Sequence, residues 1–481
     1  MNPPDTLAAP VIAWFRQDLR LADNPALAAA VESGRPIIPL YILDETPGIR
    51  PMGAASLWWL DKSLRALGED LARAGAPLIL RRGAAETVLD NLIAETGAGH
   101  MVWNRLYDAG SMARDRAIKA RLSARGLTVQ SFNSALLNEP WMVQTEAGDF
   151  YKVFTPYWRA ARDQVEDRPA LPPPSRLTGC NPRSERLEDW GLHPRNPDWS
   201  VGFTAWTPGE AGAHAALKRF LGKALRGYAS GRDRPGLASV SRLSPHLHFG
   251  EIGPLQIWRA VQARVAAGDS LDGAAKFLSE IGWREFNHHL LFHNPDLARR
   301  NFRPEFDAIA WRDHPEDLDA WRQGRTGYPL VDAGMRELRA TGYMHNRARM
   351  VAASFLVKDL MIDWRVGEAW FWDTLVDADL AQNAANWQWV AGSGADASPY
   401  FRVFNPIRQG ERFDPCGNYI RRWIPELAGL SNAVLHAPWT ARPDQLSAAG
   451  VVLGQTYPRP ILDHAAARDR ALAAYAALGA A

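Results

Sequence analysis

The chain has 481 residues, 47% of them hydrophobic and 22% charged, with a formal net charge of +2. This is length enough for two or three domains with a core in each, and the ordinary composition of a globular protein. The charge is too small to mark a nucleic-acid binder by itself, and the two cysteines, Cys180 and Cys416, supply no iron–sulfur or zinc ligand set.

No run approaches the ~20 apolar residues of a spanning helix, and no signal peptide precedes Val11, so a soluble cytoplasmic protein is expected. Val11–Phe15 reads as a buried strand, and Asp23-Asn24-Pro25 then offers a cap and a proline for the first turn of a helix. Ile37–Leu43 is a second strand, and helical spacing runs from Ser56 to a stop at Gly75. Pro77–Leu80, Met101–Trp103 and Leu127–Phe132 are further strands with helices between them. The alternation predicts an α/β domain over residues 10–137, with a doubly wound parallel sheet. Neither a dinucleotide fingerprint nor a P-loop occurs in it.

From Asn138 to Trp206 the pattern gives way to loop composition, as in Leu171-Pro172-Pro173-Pro174 and Gly191–Pro197, which predicts a long linker. From Gly209 onward helical periodicity dominates, so residues 207–475 are expected to form an all-α domain. Arg299, Arg300, Arg303, Arg408, Arg412, Arg421 and Arg422 leave a basic face open there, against the plainer reading of solvated helix surfaces.

Two polar clusters stand out in this apolar, tryptophan-rich half: Thr341–Met350, and Asp377–Asn383 with its continuation to Trp389. Charges in such surroundings need partners, and a large polar ligand held among helices would supply them. Upstream, Ser239–Gly250 sets hydroxyls and Arg242 before a helix, which suits a pyrophosphate; a plain capping turn is the alternative. Glu280, Trp283 and Arg284 share one helix face, which suits either a base edge or an ordinary ion pair with a core tryptophan. Asn346, Arg349 and Met350 likewise share a face, and Arg349 is expected to pair with Asp377, either beside a bound ligand or as a structural bridge.

These residues, in this order, resemble the DNA photolyase and cryptochrome flavoprotein family, most closely its bacterial cyclobutane pyrimidine dimer photolyases. The resemblance starts at Trp14-Phe15-Arg16-Gln17-Asp18-Leu19-Arg20-Leu21 and continues through Tyr151–Tyr157, Ser241–Ser244, Trp283–Phe286 and Gly327–Ala333. It ends with His345-Asn346-Arg347, Asp377–Trp389 and Tyr400–Pro406. It implies an antenna domain and a helical domain holding FAD. Tyr228, Val240, Ser241, Arg242, Leu243, Ser244, Phe277, Arg284, Asn346, Arg349, Asp377, Ala378, Asp379 and Asn383 would form the flavin site. Val240 stands where a threonine is common and Phe277 where a tryptophan is; each loses a polar atom and keeps bulk.

By the same resemblance, Trp387, Trp364 and Trp311 would carry electrons between flavin and surface, and Glu280 would hydrogen-bond a pyrimidine dimer. Trp283, Asn287, Asn346, Met350 and Trp389 would contact that dimer, with Arg232, Arg347 and Arg402 toward the DNA. Asn383 matches the asparagine that repair enzymes place near flavin N5, where plant-type cryptochromes carry aspartate. Asn346 after His345 speaks against (6-4) photoproducts, and two cysteines against the iron–sulfur branch. Light-driven repair of cyclobutane dimers flipped out of DNA, by a monomer without a metal, is therefore expected, with a blue-light photoreceptor as the alternative. A second chromophore, methenyltetrahydrofolate or a deazaflavin, is also open, although Gly110-Ser111 lacks the carboxylate that some folate-binding relatives have there.

Overall fold

The five strands are β1 (Val11–Phe15), β2 (Ile37–Asp44), β3 (Ile79–Gly83), β4 (His100–Asn104) and β5 (Thr128–Phe132). They pair in the order β3-β2-β1-β4-β5, all parallel. The computed structural model describes residues 8–478 other than 167, 196 and 397–400. Asn196 of the linker and Tyr400, which opens the last matching string, lie outside the described residues.

Every residue of β1 is buried, because the sheet is covered on both faces. Val11, Ala13 and Phe15 enter one core, and Ile12 and Trp14 the opposite one, as the two-residue repeat of a strand requires. Asn24 caps the helix Pro25–Glu32, its Oδ1 accepting from Leu27 N at 3.1 Å. The order of the strands reverses between β1 and β4, and the carboxyl ends of the strands there open onto a crevice.

The linker is more structured than its composition suggests. It contains the helix Phe154–Arg162, whose Phe154, Tyr157 and Ala161 form one buried stripe. It also touches both halves: Ile37 N donates to Thr178 O at 2.8 Å, and Trp206 Nε1 to Thr341 O at 2.9 Å.

The remainder is helical, with a large core built mainly from Pro329–Thr341, Asn346–Ser354, Trp364–Thr374 and Leu380–Ala391. Polar contacts lock it to the sheet domain. Leu19 N donates to Phe249 O at 3.0 Å, and Trp59 Nε1 to Glu251 Oε1 at 2.9 Å. Gly250 has φ +65° and lies against Gln17 O, where a Cβ would sit at 2.0 Å. A side chain there would push the domains apart.

Candidate active site

Seven segments converge on a cavity of about 470 Å³. They are residues 228–233, the turn at Ser241–His248, the stretch 375–379 and the helices Leu271–His293, Asn346–Ser354, Trp364–Thr374 and Leu380–Ala391. The long helix Leu271–His293 turns Phe277, Glu280, Trp283, Arg284 and Asn287 toward it, as a repeat of three and four residues allows. Of the expected flavin residues, Tyr228, Ser241, Leu243, Ser244, Phe277, Arg284, Asn346, Arg349, Asp377, Ala378, Asp379 and Asn383 line the cavity. Val240 and Arg242 are not on its wall. Arg242, at φ +56°, turns its guanidinium onto Trp206 and Tyr343, 5.1 Å from each ring.

The cavity wall interleaves apolar and aromatic side chains with charged and amide groups. Arg349 Nη2 reaches both oxygens of Asp377, at 3.0 and 2.8 Å, and Ser244 Oγ donates to Asp377 Oδ2 at 2.6 Å. Burial works against the Arg349 charge, but Asp377 more than offsets it and the pKa is raised. Asp379 caps Leu380–Ala391, its Oδ1 accepting from Gln382 N at 2.9 Å. Its other oxygen faces His248 and His288, at 3.5 and 3.8 Å. Burial alone would raise the Asp379 pKa; the histidines and Arg284 reverse this and hold it far below the usual carboxylate range. Burial pushes His288 down to about 4. Asn383 donates Nδ2–H to Glu368, whose carboxylate in turn receives Arg50 of the sheet domain at 2.7 and 2.9 Å.

The polar rim lies around Glu280. Arg232 and Lys276 pair with it, Asp233 lies between Arg232 and Arg347, and Trp283 stacks on Phe154 at 3.9 Å with 9° between the rings. Asn287, Asn346, Arg347, Met350 and Trp389 also line the cavity; Arg402 is exposed and stands off its wall. Trp389 is held by its Nε1–H bond to Asp396 O at 3.0 Å. Aromatic and apolar surfaces, a partly buried ion pair and convergent amides fit an amphipathic ligand of the FAD type, and the volume falls in the range of cofactor pockets.

Residues 277–477 match the family model described as the FAD binding domain of DNA photolyase, and residues 11–175 match the DNA photolyase model. The chain is 54% identical to a deoxyribodipyrimidine photo-lyase of Agrobacterium fabrum, covering 98% of each. It is 40% identical to Cryptochrome-2 of Arabidopsis thaliana, covering 95% of this chain and 77% of that one. A crystal structure described as a bacterial class III photolyase from Agrobacterium tumefaciens superposes with a TM-score of 0.96, at 53% identity over 98% of each chain. The chain belongs to the DNA photolyase family. The α/β domain and the helical FAD-binding domain are those of that family, and FAD is the cofactor the helical domain is built to hold.

The three tryptophans expected to carry electrons pack into one apolar cluster: Trp387 and Trp364, both buried, and the half-buried Trp311. Trp387 forms part of the cavity wall and rests against Phe371, ring centroids 4.9 Å apart. Gly367 makes room for it: a Cβ there would sit 2.2 Å from the indole. Trp364 Nε1 donates to Asn301 Oδ1 at 2.9 Å.

A second cavity, of about 560 Å³, opens at the crevice beside β1. Trp14, Arg16, Tyr41, Asp44, Tyr107 and Ser111 are on its wall, and it shares Ala378, Asp379, His248 and Arg284 with the first. Ser111 N is engaged by Asp108 Oδ1 at 2.8 Å, so Gly110-Ser111 opens a capped helix. Among the described residues no group of His, Cys, Asp or Glu could hold a metal ion, and no helix is long and apolar enough to cross a membrane.

Some functional side chains carry no plain sequence signal. Glu368 orients Asn383 from another helix, and Phe154 backs Trp283 from the linker. Lys276 had a signal, since it lies four residues before Glu280 on the same helix.

Proposed function

We propose that the protein repairs cyclobutane pyrimidine dimers in DNA with light. The observation that carries this reading is the fixed orientation of Asn383. Its amide N–H groups are spent on Glu368, so its carbonyl oxygen is the atom left to face the cavity. An acceptor there suits a reduced flavin, whose N5 carries a hydrogen. FAD bound in the cavity supplies the light-driven electron. The chain's own residues then hold and orient: Arg349 and Asp377 neutralise each other against the cofactor, and Trp283 and Trp389 wall the mouth. Glu280 faces the base edges, and the dimer, already poorly stacked, leaves the duplex at less cost than a normal base. Arg347 lies toward the phosphates, so affinity falls with salt. Trp311, Trp364 and Trp387 pass electrons between the surface and the cofactor.

The second cavity is the place for a light-gathering chromophore, a folate or a deazaflavin. Ser111 offers a folate no carboxylate, and Asp44 and Arg16 on the wall are already paired with Arg114 and Asp115. Residues 10–137 act as the antenna domain, 138–206 as the linker and 207–475 as the catalytic domain. The protein works as a monomer in the cytoplasm.

The test is conversion of an oligonucleotide carrying a cyclobutane dimer, by reduced, flavin-loaded protein, in light and in darkness. Conversion confined to the illuminated sample supports repair; equal conversion, or none, removes it. The second reading is a cryptochrome-type photoreceptor, favoured by the 40% identity to an Arabidopsis cryptochrome over 95% of this chain. It would show as light-dependent association with a protein partner and no dimer conversion.

A further inference from the structure

Glu280 is gripped from two sides. Its Oε2 accepts from Arg232 Nη2 at 2.7 Å, and its Oε1 from Lys276 Nζ at 3.0 Å. All three side chains line the cavity mouth. Lys276 and Glu280 lie one turn apart on the helix Leu271–His293, and Arg232 follows the short helix Tyr228–Gly231. The carboxylate is 25% exposed and the lysine 39%, so the group can be reached from the cavity.

The chemistry of this row is N–H, carboxylate, N–H. An ammonium and a guanidinium only donate, and an ionised carboxylate only accepts. The row is therefore donor, acceptor, donor. The Watson–Crick edge of a thymine or uracil is an imide: carbonyl, N–H, carbonyl, or acceptor, donor, acceptor. The two are complementary at every position. Joining C5 and C6 of neighbouring bases saturates the rings but leaves this edge intact. Cytosine presents an amine, a ring nitrogen with a lone pair, and a carbonyl. Its amine would face a cation and its lone pair the carboxylate. A site built to pair a polar edge rejects an analogue that leaves its groups unpaired far more strongly than an apolar pocket rejects a misfit. Asp233, shared between Arg232 and Arg347 at 3.7 and 3.0 Å, keeps Arg232 from swinging away. Trp283, three residues after Glu280, gives the base a face to stack on.

We propose that Lys276 is a specificity-determining residue: together with Glu280 and Arg232 it reads the imide edge of a flipped-out pyrimidine and disfavours the cytosine edge. This rests on the repair reading of the same site and adds to it the base that the site prefers.

The test is equilibrium binding in the dark, with flavin-loaded full-length protein and two oligonucleotides of one length. One carries a thymine–thymine cyclobutane dimer. The other carries a dimer of two 5-methylcytosines, kept cold against deamination, which preserves ring and methyl and changes only the edge. Wild-type protein should prefer the thymine dimer by about tenfold, the scale of one good base-edge contact. Lys276→Met keeps the aliphatic stem and removes the donors. It should lower the preference severalfold, by weakening the thymine dimer and not the methylcytosine dimer, and Lys276→Arg should restore the preference. No preference in the wild type overturns the proposal, and so does an unchanged ratio in Lys276→Met. Equal weakening of both ligands overturns it too, since Lys276 would then be a phosphate contact. An undamaged oligonucleotide of the same length is the reference: wild-type protein that binds it as tightly as the thymine dimer removes the repair reading itself, and this inference with it.

Discussion

Asn383 is held by Glu368 through two hydrogen bonds from Nδ2, to the main-chain carbonyl at 2.9 Å and to Oε1 at 2.8 Å. Because a carboxylate only accepts, the amide cannot rotate by half a turn without losing both bonds. Glu368 is itself pinned by Arg50, so a residue of the sheet domain helps to set which atom of Asn383 faces the cavity.

Glu368→Gln should loosen that choice. A glutamine offers a donor as well as an acceptor, so Asn383 can then turn either face inward. The flavin content should stay near that of the wild type, and dimer conversion by reduced protein should fall roughly tenfold, the scale of one hydrogen bond to a charged group. Conversion equal to the wild type would show that Asn383 is oriented by something else. Arg50→Met is the control: it leaves the Asn383–Glu368 pair intact and should lower conversion less.

Glu280→Ala should slow splitting of a bound dimer by an amount corresponding to about 1–3 kcal/mol, without emptying the flavin site. It also leaves Arg232 and Lys276 without their shared anion, so affinity for undamaged DNA should rise and its salt dependence should steepen. Loss of flavin in this variant would make Glu280 a structural residue. The measurements are single-turnover conversion, flavin absorbance, and binding at two salt concentrations.

Trp387→Phe should block photoreduction of oxidised FAD and spare repair by protein reduced chemically beforehand. Phenylalanine is much harder to oxidise, while repair sends its electron toward the dimer and has no need of this route. Normal photoreduction in the variant would take the role from Trp387 and weaken the case for Trp364 and Trp311.

Glu285 gives a pH dependence of folding. It is 1% exposed and accepts Leu137 N at 2.7 Å, and burial raises its pKa from 4.5 to about 7 despite Arg284 and these backbone donors. The folded protein therefore holds a proton that the unfolded chain has released between these two values. Stability should fall as pH rises from about 4.5 to about 7, by on the order of 3 kcal/mol in total, and level off above. Glu285→Gln should flatten that part of the profile. Denaturant unfolding of the two proteins at pH 5 and pH 7.5 checks it: a wild-type minus variant difference that stays constant rules the account out.

Much of the architecture is legible in the chain because it depends on local repeats. Val11–Phe15 reads as a buried strand, Asn24-Pro25 as a helix start, and Glu280, Trp283 and Arg284 as one helix face, and the structure has each of these. The helix Phe154–Arg162 escaped because its short stripe of three buried residues sits among prolines and charges that read as loop. Its stripe becomes apolar core only when Trp283 and Phe286 arrive from more than a hundred residues away to cover it.

What the sequence by itself determined is therefore the set of elements and the chemistry carried on each face, since both follow from the spacing of side chains along a helix or a strand. The tertiary structure alone decided which faces meet. Arg50 and Glu368 are 318 residues apart, and Glu368 and Asn383 stand on different helices. No periodicity links such residues. Their pairing comes from the docking of the sheet domain on the helices, where burying charge is tolerable only when each group finds its opposite.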